Sequence, residues 1–220
     1  MTRASFKKID RIYTKKPLEL LHIDLWSSNV GPFYGQTRYM LTIVDDFSRY
    51  AWVLTLKNKN QGLKAFNTFK TEIEKQTNRI IRTVRTDNGL EFCSQIFEDD
   101  LKKAGIRHQR TNIYSPEMNG VAERLNRTMA EGVRCLRLES ELPKGLWAEL
   151  AYTFIYLKDR FPHKSRKGKI PCTLMYGKKC SVRHLKDIGS LAYVYVEKHK
   201  RDKLSFQSET RSINRICLKN

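Results

Sequence analysis

The chain has 220 residues, of which 40% are hydrophobic and 10% aromatic, so it is long enough and apolar enough to bury a globular core. Its 42 Lys and Arg against 23 Asp and Glu give a formal net charge of +19, which exceeds what solubility requires and favours a polyanionic partner. The apolar runs are too short to cross a bilayer and the first residues lack the apolar stretch of a secretory signal, so we expect neither a membrane nor a secreted protein.

The first third of the chain predicts three strands followed by a helix. Residues 18–26, 38–44 and 51–56 are rich in β-branched, aromatic and aliphatic residues, and turn-forming residues separate them. From residue 62 to 73 the apolar residues recur every three or four positions, which is typical of an amphipathic helix. A further strand is predicted over 80–85.

The middle of the chain continues with a helix over 95–103, a strand over 106–110, a polar turn over 112–116 and a long helix over 119–138. The resulting order is βββαβαβα. Three antiparallel strands followed by alternating helices and strands indicate an α/β protein with a mixed sheet and helices on its faces, as in the ribonuclease-H-like fold.

The last third predicts a helix over 146–157, a basic loop over 158–169 and a strand of a small β module over 190–196. Residues 143–220 hold 18 Lys and Arg against 6 Asp and Glu, so the positive charge is concentrated in a basic C-terminal extension. Such an excess usually serves nucleic-acid binding, because neutralising phosphates releases counterions.

The five cysteines predict no metal ribbon and no disulfide framework. They are odd in number, widely spaced and never form Cys-x-x-Cys. Buried free thiols are therefore the preferred interpretation for Cys93, Cys135, Cys172, Cys180 and Cys217.

Three carboxylates are the candidate chemical groups. Asp24 lies within a predicted strand between apolar neighbours, Asp87 directly follows a strand, and Glu123 lies on the long helix, with 35 residues between the second and the third. Each has an ordinary alternative: a hydrogen-bonded strand Asp, a turn Asp before Asn-Gly, and a solvated helix Glu.

Taken together, the three carboxylates could hold metal ions. The helical period places Glu123 on the same side as Arg127 and Arg134, away from the apolar side of the helix. Hard cations such as Mg²⁺ need only two or three carboxylates plus phosphate oxygens, and two ions about 3.5–4 Å apart can promote an in-line phosphoryl displacement.

Four segments give the chain a specific resemblance: Leu-Glu-Leu-Leu-His-Ile-Asp, Thr-Ile-Val-Asp-Asp-Phe-Ser-Arg-Tyr, Arg-Thr-Asp-Asn-Gly-Leu-Glu-Phe and Ser-Pro-Glu-Met-Asn-Gly-Val-Ala-Glu-Arg-Leu-Asn-Arg-Thr. Over nearly its whole length the sequence resembles the integrase region of a Ty1/copia-type LTR retrotransposon polyprotein. The resemblance implies that Asp24, Asp87 and Glu123 bind two Mg²⁺ or Mn²⁺ ions, with water or a DNA 3′-hydroxyl as the nucleophile.

The implied function is DNA integration by metal-dependent polynucleotidyl transfer, that is, 3′-end processing of element DNA and strand transfer into target DNA. The implied partners are double-stranded DNA, both element ends and target, and further copies of the chain, with no membrane; synthesis would be cytoplasmic and the site of action nuclear. Asp45 and Asp46 match a family motif but are assigned a turn or structural role. Residues expected to support the site or contact DNA are Asn88, Asn119, Arg127, Arg134, Lys164, Arg166 and Lys167.

The expected domains are a basic N-terminal remnant over 1–16, the catalytic core over 17–160, a basic linker over 161–187 and a partial SH3-like module over 188–220. The His-His-Cys-Cys zinc module of the family has no counterpart here, so we expect no zinc and a core truncated at both ends. Gly132 also interrupts the long helix, at a cost of about 1 kcal/mol relative to Ala.

Two alternatives stay open. The chain could be an inactive or domesticated relic that binds nucleic acid through its basic residues alone, or a ribonuclease H that uses the same fold and metals on an RNA–DNA hybrid. The relic would bind DNA equally well without its carboxylates, and the ribonuclease would cleave a hybrid.

Overall fold

The computed structural model describes residues 14–27, 36–87, 89, 92–111, 120–197, 199 and 208–212. The strands are β1 (Leu21–Ser27), β2 (Tyr39–Asp45), β3 (Ala51–Leu56), β4 (Thr83–Thr86), β5 (Arg107–Arg110), β6 (Leu191–Tyr195) and β7 (Ser208–Ser212). The helices are α1 (Gly62–Thr77), α2 (Gln95–Lys103), α3 (Gly120–Glu139), α4 (Trp147–Lys158) and α5 (Pro171–Tyr176).

A five-stranded mixed sheet of order β3-β2-β1-β4-β5 forms the centre of the fold. The first three strands pair antiparallel, whereas β1 pairs with β4 and β4 with β5 in parallel. The predicted order βββαβαβα is confirmed, and each of these predicted elements lies within four residues of its observed bounds. The strand predicted over 190–196 is β6, which pairs antiparallel with β7 in a separate two-stranded sheet.

Two apolar layers cover the two faces of the central sheet. On one face, Leu21, Ile23 and Val84 pack against the aromatic side chains of α1 and α2. On the other face, the alternate side chains of β2 and β3 pack against α3 and α4. Because β1 is central and covered on both faces, a polar side chain within it must find a partner inside the protein.

The tight turn between β2 and β3 is held by Asp45. This fully buried carboxylate accepts hydrogen bonds from the amides of Leu18 (2.8 Å) and Ser48 (2.7 Å) and from the Ser48 hydroxyl (2.6 Å). The structural role expected of Asp45 is confirmed.

The segment expected to be a basic linker contains a helix that belongs to the core. Within α5, Met175 is fully buried and joins the apolar layer formed with α1 and α2. The predicted domain boundaries stay a prediction, but at least this part of 161–187 packs on the catalytic-core region.

The expectation of buried free thiols is wrong for three cysteines. Cys172 and Cys180 form a disulfide with their Cα atoms 6.3 Å apart, because Gly177 ends α5 in a left-handed conformation and turns the chain back. Cys135 is free but exposed, and Cys93 is free and partly buried. Cys217 lies outside the described residues.

Gly132 does not interrupt α3, which is continuous from Gly120 to Glu139. A Cβ atom at this position would overlap the ring of Phe154 on α4, so the glycine lets the two helices approach closely. The low helix propensity of glycine is evident from the sequence, whereas this packing role depends on Phe154, 22 residues further along the chain.

None of the described helices combines the length and the apolar character needed to span a membrane.

We predict that Gly132→Ala destabilises the protein although alanine favours helix formation. The overlap with Phe154 should cost about 1–3 kcal/mol, which outweighs a gain of about 1 kcal/mol in helix propensity. Urea unfolding should show the loss. The matched control is Gly62→Ala at the start of α1, where no atom lies within 4 Å of the added Cβ and no loss is expected.

The overlap also predicts coupling between the two helices. In a Phe154→Ala background, Gly132→Ala should no longer be destabilising. An undiminished cost in that background would show that the glycine matters for another reason.

Candidate functional site

The parallel pairing of β1 with β4 brings two of the three candidate carboxylates together. Leu21 lies opposite Val84 and His22 opposite Arg85. Asp24 and Asp87 each lie two residues beyond this last pair, with Asp87 just past the end of β4, so a continued register would bring them level. Neighbouring strands are about 4.8 Å apart, which is close enough for two carboxylates to share a cation.

Helix α3 supplies the third carboxylate and a direct contact to the first. Glu123 lies exposed in the first turn of α3, and one turn later the Asn126 side chain donates a 2.6 Å hydrogen bond from Nδ2 to Oδ2 of Asp24. The helix that carries Glu123 is therefore tied directly to the strand that carries Asp24. No Lys or Arg forms an ion pair with Asp24 among the described residues, and the side-chain partner of Asp24 is this amide.

Asn126 is a site residue that the sequence analysis missed. It is 6% exposed, and its amide oxygen has no hydrogen-bond partner within the described part of the chain. The available signal was a polar residue on the buried side of the helix, beside Ala122, Leu125 and Met129.

Asp24 lies close enough to Asp87 and Glu123 for their charges to act on its carboxyl group. Burial, followed by the negative charges of Asp87 and Glu123, raises the pKa of Asp24 to about 6, against the opposing hydrogen bonds from Leu25 and Asn126. Asp87 is partly buried, and its Oδ1 accepts a 3.1 Å hydrogen bond from the Gly89 amide.

The described residues contain no group of three or more His, Cys, Asp or Glu side chains tight enough to hold a metal ion. The structure thus gathers the three carboxylates in one region without closing them into a cage. Their chemistry nonetheless fits a hard divalent cation. Carboxylate and amide oxygens are the preferred donors, and a cation would offset the repulsion that raises the pKa of Asp24.

The basic residues predicted to support the site fall into two groups. Arg127 and Arg134 are exposed on α3 on the same side as Glu123, where they could meet phosphates. Arg166 lies at the opposite end of β1, where it donates a hydrogen bond to the Asp46 carbonyl, and Lys164 and Lys167 lie in the same loop. Asn88 and Asn119 lie outside the described residues.

Asp46 has a structural role, as expected. It accepts hydrogen bonds from His22 (3.1 Å) and Thr14 and forms a 3.0 Å ion pair with Arg49. Burial alone would raise the pKa of Asp46, but the His22 hydrogen bond and the Arg49 charge outweigh burial and hold its pKa well below the usual range. This cluster belongs to the end of the sheet away from Asp87.

Sequence comparison places the chain among mobile-element proteins. The family described as "Integrase core domain" matches residues 14–116, which include Asp24 and Asp87 but not Glu123. The Pol polyprotein from transposon TNT 1-94 of Nicotiana tabacum is 38% identical over 191 residues, covering 87% of this chain and 14% of that protein. The transposon RE2 Pol polyprotein of Arabidopsis thaliana is 32% identical over 90% of this chain and 13% of its own length.

The yeast Ty1-NL2 Gag-Pol polyprotein of Saccharomyces cerevisiae is 27% identical over 160 residues, covering 70% of this chain and 9% of that protein. The chain therefore spans only a small part of the length of the curated relatives that it matches.

Solved structures share the fold at low sequence identity. The HTLV-2 integrase catalytic core domain, solved in complex with magnesium, superposes with a TM-score of 0.54 at 18% identity, covering 72% of this chain and 97% of that one. A chain of the simian T-cell lymphotropic virus intasome superposes with a TM-score of 0.59 at 17% identity, covering 90% of this chain and 68% of that one. The predicted ribonuclease-H-like fold is confirmed.

Integrase core domains serve DNA integration by polynucleotidyl transfer. The family match, the polyprotein relatives and the fold agree with the resemblance that the motifs carry. The chain therefore carries an integrase core domain and is homologous to the Pol polyproteins of plant and yeast Ty1/copia-type transposons.

Proposed function

We propose that this domain catalyses metal-dependent polynucleotidyl transfer, trimming the 3′ ends of retrotransposon DNA and joining them to target DNA. One observation carries the proposal. In a protein of net charge +19, Asp24 is partly buried and lies close enough to Asp87 and Glu123 for their negative charges to raise the pKa of Asp24. The buried side-chain amide of Asn126 orients the Asp24 carboxylate. Such an arrangement makes the ionised carboxylates unfavourable in the absence of a metal ion, so a bound cation would stabilise them.

In this proposal Asp24, Asp87 and Glu123 hold Mg²⁺ or Mn²⁺, two ions when DNA phosphate completes the ligand set. The bound ions would activate a water or 3′-hydroxyl and stabilise the leaving oxygen of an in-line displacement. Asn126 fixes the direction of the Asp24 carboxylate through Nδ2, and its hydrogen bond favours the ionised form. Arg127 and Arg134 are suited to hold phosphates beside Glu123.

The proposed partner is double-stranded DNA, as element ends and as target. The positive charge supports this proposal, because phosphate neutralisation drives salt-sensitive binding. Assembly of several copies is also proposed, since the HTLV-2 catalytic core has been solved in trimeric and dimeric forms. Joining to chromosomal DNA would place the activity in the nucleus.

We predict that Asp87→Asn and Glu123→Gln each abolish DNA joining, with losses of at least about 100-fold, because each removes a ligand charge. The measurement is joining of end-bearing oligonucleotides by the purified protein in Mn²⁺. The matched control is Glu131→Gln, two turns after Glu123 on an exposed position of α3. It should join DNA like the unaltered protein.

DNA joining, and not DNA affinity, separates this proposal from a nucleic-acid-binding relic. Both inactive variants should bind DNA with unchanged salt dependence, because basic residues carry that binding. Unaltered protein that binds DNA but never joins it, with any divalent metal, would overturn the proposed activity. Cleavage of an RNA–DNA hybrid in place of joining would instead indicate a ribonuclease H.

We predict a stability gain from Asp24→Asn in metal-free protein at neutral pH. Because the pKa of Asp24 is raised to about 6, the folded protein holds this proton more tightly than the unfolded chain, and wild-type stability falls as pH rises through that range. The variant should therefore be more stable at pH 7.5, by on the order of 1–3 kcal/mol, with no gain below about pH 4.

Thermal unfolding in EDTA at the two pH values measures this difference. Adding Mn²⁺ should reverse the order at pH 7.5, because only the wild type retains the full ligand set. An equal stability difference at pH 4 and pH 7.5 would contradict the electrostatic account of Asp24.

A further inference from the structure

A chain of three hydrogen bonds runs from helix α2 to the backbone of Asp87. Glu98 on α2 contacts Nδ1 of His108 at 2.9 Å, and Nε2 of the same ring contacts the Thr86 hydroxyl at 2.9 Å. The single hydroxyl proton of Thr86 is donated to the carbonyl of Asp87 at 2.9 Å, so Nε2–H of His108 donates to the Thr86 oxygen and Nδ1–H donates to Glu98, with protons on both ring nitrogens. These three hydrogen bonds thus link α2, β5 and β4 to Asp87, a proposed metal-binding residue.

Thr86 and His108, the two middle residues of this hydrogen-bond series, are buried among apolar groups. Thr86 is fully buried, the His108 side chain is 5% exposed, and its ring packs edge-on against Phe97 with centroids 5.3 Å apart. The β4–β5 register aligns Val84 with His108 on this face of the sheet. An apolar side chain could fill the position of His108, so packing alone does not account for an imidazole there.

Glu98 keeps the ring in one orientation. The hydrogen bond with His108, together with that from Arg110, holds the pKa of Glu98 below its usual range and outweighs the opposing effect of burial. An ionised carboxylate at Nδ1 fixes the ring plane and therefore the direction of Nε2.

The contact at Asp87 bears on the direction of its carboxylate. The main chain before Asp87 is held by the hydrogen bond from the Thr111 amide to the Thr86 carbonyl (3.1 Å). The carbonyl group of Asp87 is held by a hydrogen bond from the Thr86 hydroxyl, and the Asp87 carboxylate accepts a hydrogen bond from the Gly89 amide. Without the hydroxyl, the peptide after Asp87 could rotate and swing the carboxylate relative to Asp24.

We propose that His108 is a positioning residue for Asp87, which it orients through the Thr86 hydroxyl while Glu98 fixes the ring. The proposal rests on the proposed function of Asp87 as a metal ligand. His108 lies on the sheet face away from α3 and touches neither metal nor DNA in this role.

The first test removes the hydroxyl and keeps the shape. In Thr86→Val the hydrogen exchange of the Gly89 amide, followed by NMR in metal-free protein, should accelerate by up to about tenfold, the factor expected from losing one hydrogen bond. Thr86→Ser is the matched control, since it keeps the hydroxyl and should keep the protection. His108→Leu should behave like Thr86→Val.

The second test uses metal binding. The Mn²⁺ concentration for half-saturation, read from the EPR signal of free Mn²⁺, should rise roughly tenfold in Thr86→Val and in His108→Leu. Joining activity should recover at high Mn²⁺. The double variant should be no worse than either single variant, because both act through one chain of contacts.

Unchanged Gly89 exchange in a folded Thr86→Val protein would overturn the positioning role. Fully additive losses in the double variant would also overturn it, because they would mean independent structural effects. If the proposed function is wrong, the unaltered protein will not join DNA. The Gly89 amide exchange rate is measured without DNA or metal, so it still decides whether His108 positions Asp87.

Discussion

The parallel pairing of β1 with β4 is the constraint on which the site depends. After β1 the chain passes through β2, β3 and α1 before β4 pairs in parallel with β1. The register of this pairing determines whether Asp24 and Asp87 lie side by side. A shift by one residue would turn Asp87 to the other face of the sheet, toward α2. The apolar layers on both faces hold the register, so the packing of the core determines the geometry of the chemistry.

The second constraint is electrostatic. Carboxylates repel one another when gathered in a partly buried place, and the raised pKa of Asp24 shows that repulsion together with desolvation. Elsewhere the protein satisfies its buried acids in other ways: Asp45 accepts hydrogen bonds from amide and hydroxyl donors, and Asp46 pairs with Arg49 and His22. Asp24 receives only hydrogen bonds and no cation among the described residues. Asp24 thus differs from Asp46 in lying near two other carboxylates without a cation to offset their charge.

Much of the fold was predictable because its signals are local. The helical period of α1 and the caps of α2 are properties of neighbouring residues, and β1, β2 and β3 are rich in strand-forming residues. Each of the three carboxylates, taken alone, had an ordinary structural explanation. Only the flanking sequence motifs identified them together as candidate metal ligands. Asn126, the packing role of Gly132 and the burial of Met175 were missed because each depends on a residue far away in sequence: Asp24, Phe154 and the layer of α1. The Cys172–Cys180 pair was missed because the turn at Gly177 has no spacing motif.

The close approach of α3 and α4 at Gly132 has a consequence for judging related genomic copies. The same rigid helix carries Glu123 and Asn126 in its first two turns and the glycine contact with Phe154 further along. A side chain introduced at the glycine would push the helix away from its neighbour and shift the acidic end with it. A related copy could therefore lose the geometry of this region through a change at one small residue while every carboxylate stays intact, so the presence of the acids does not by itself show that they are brought together.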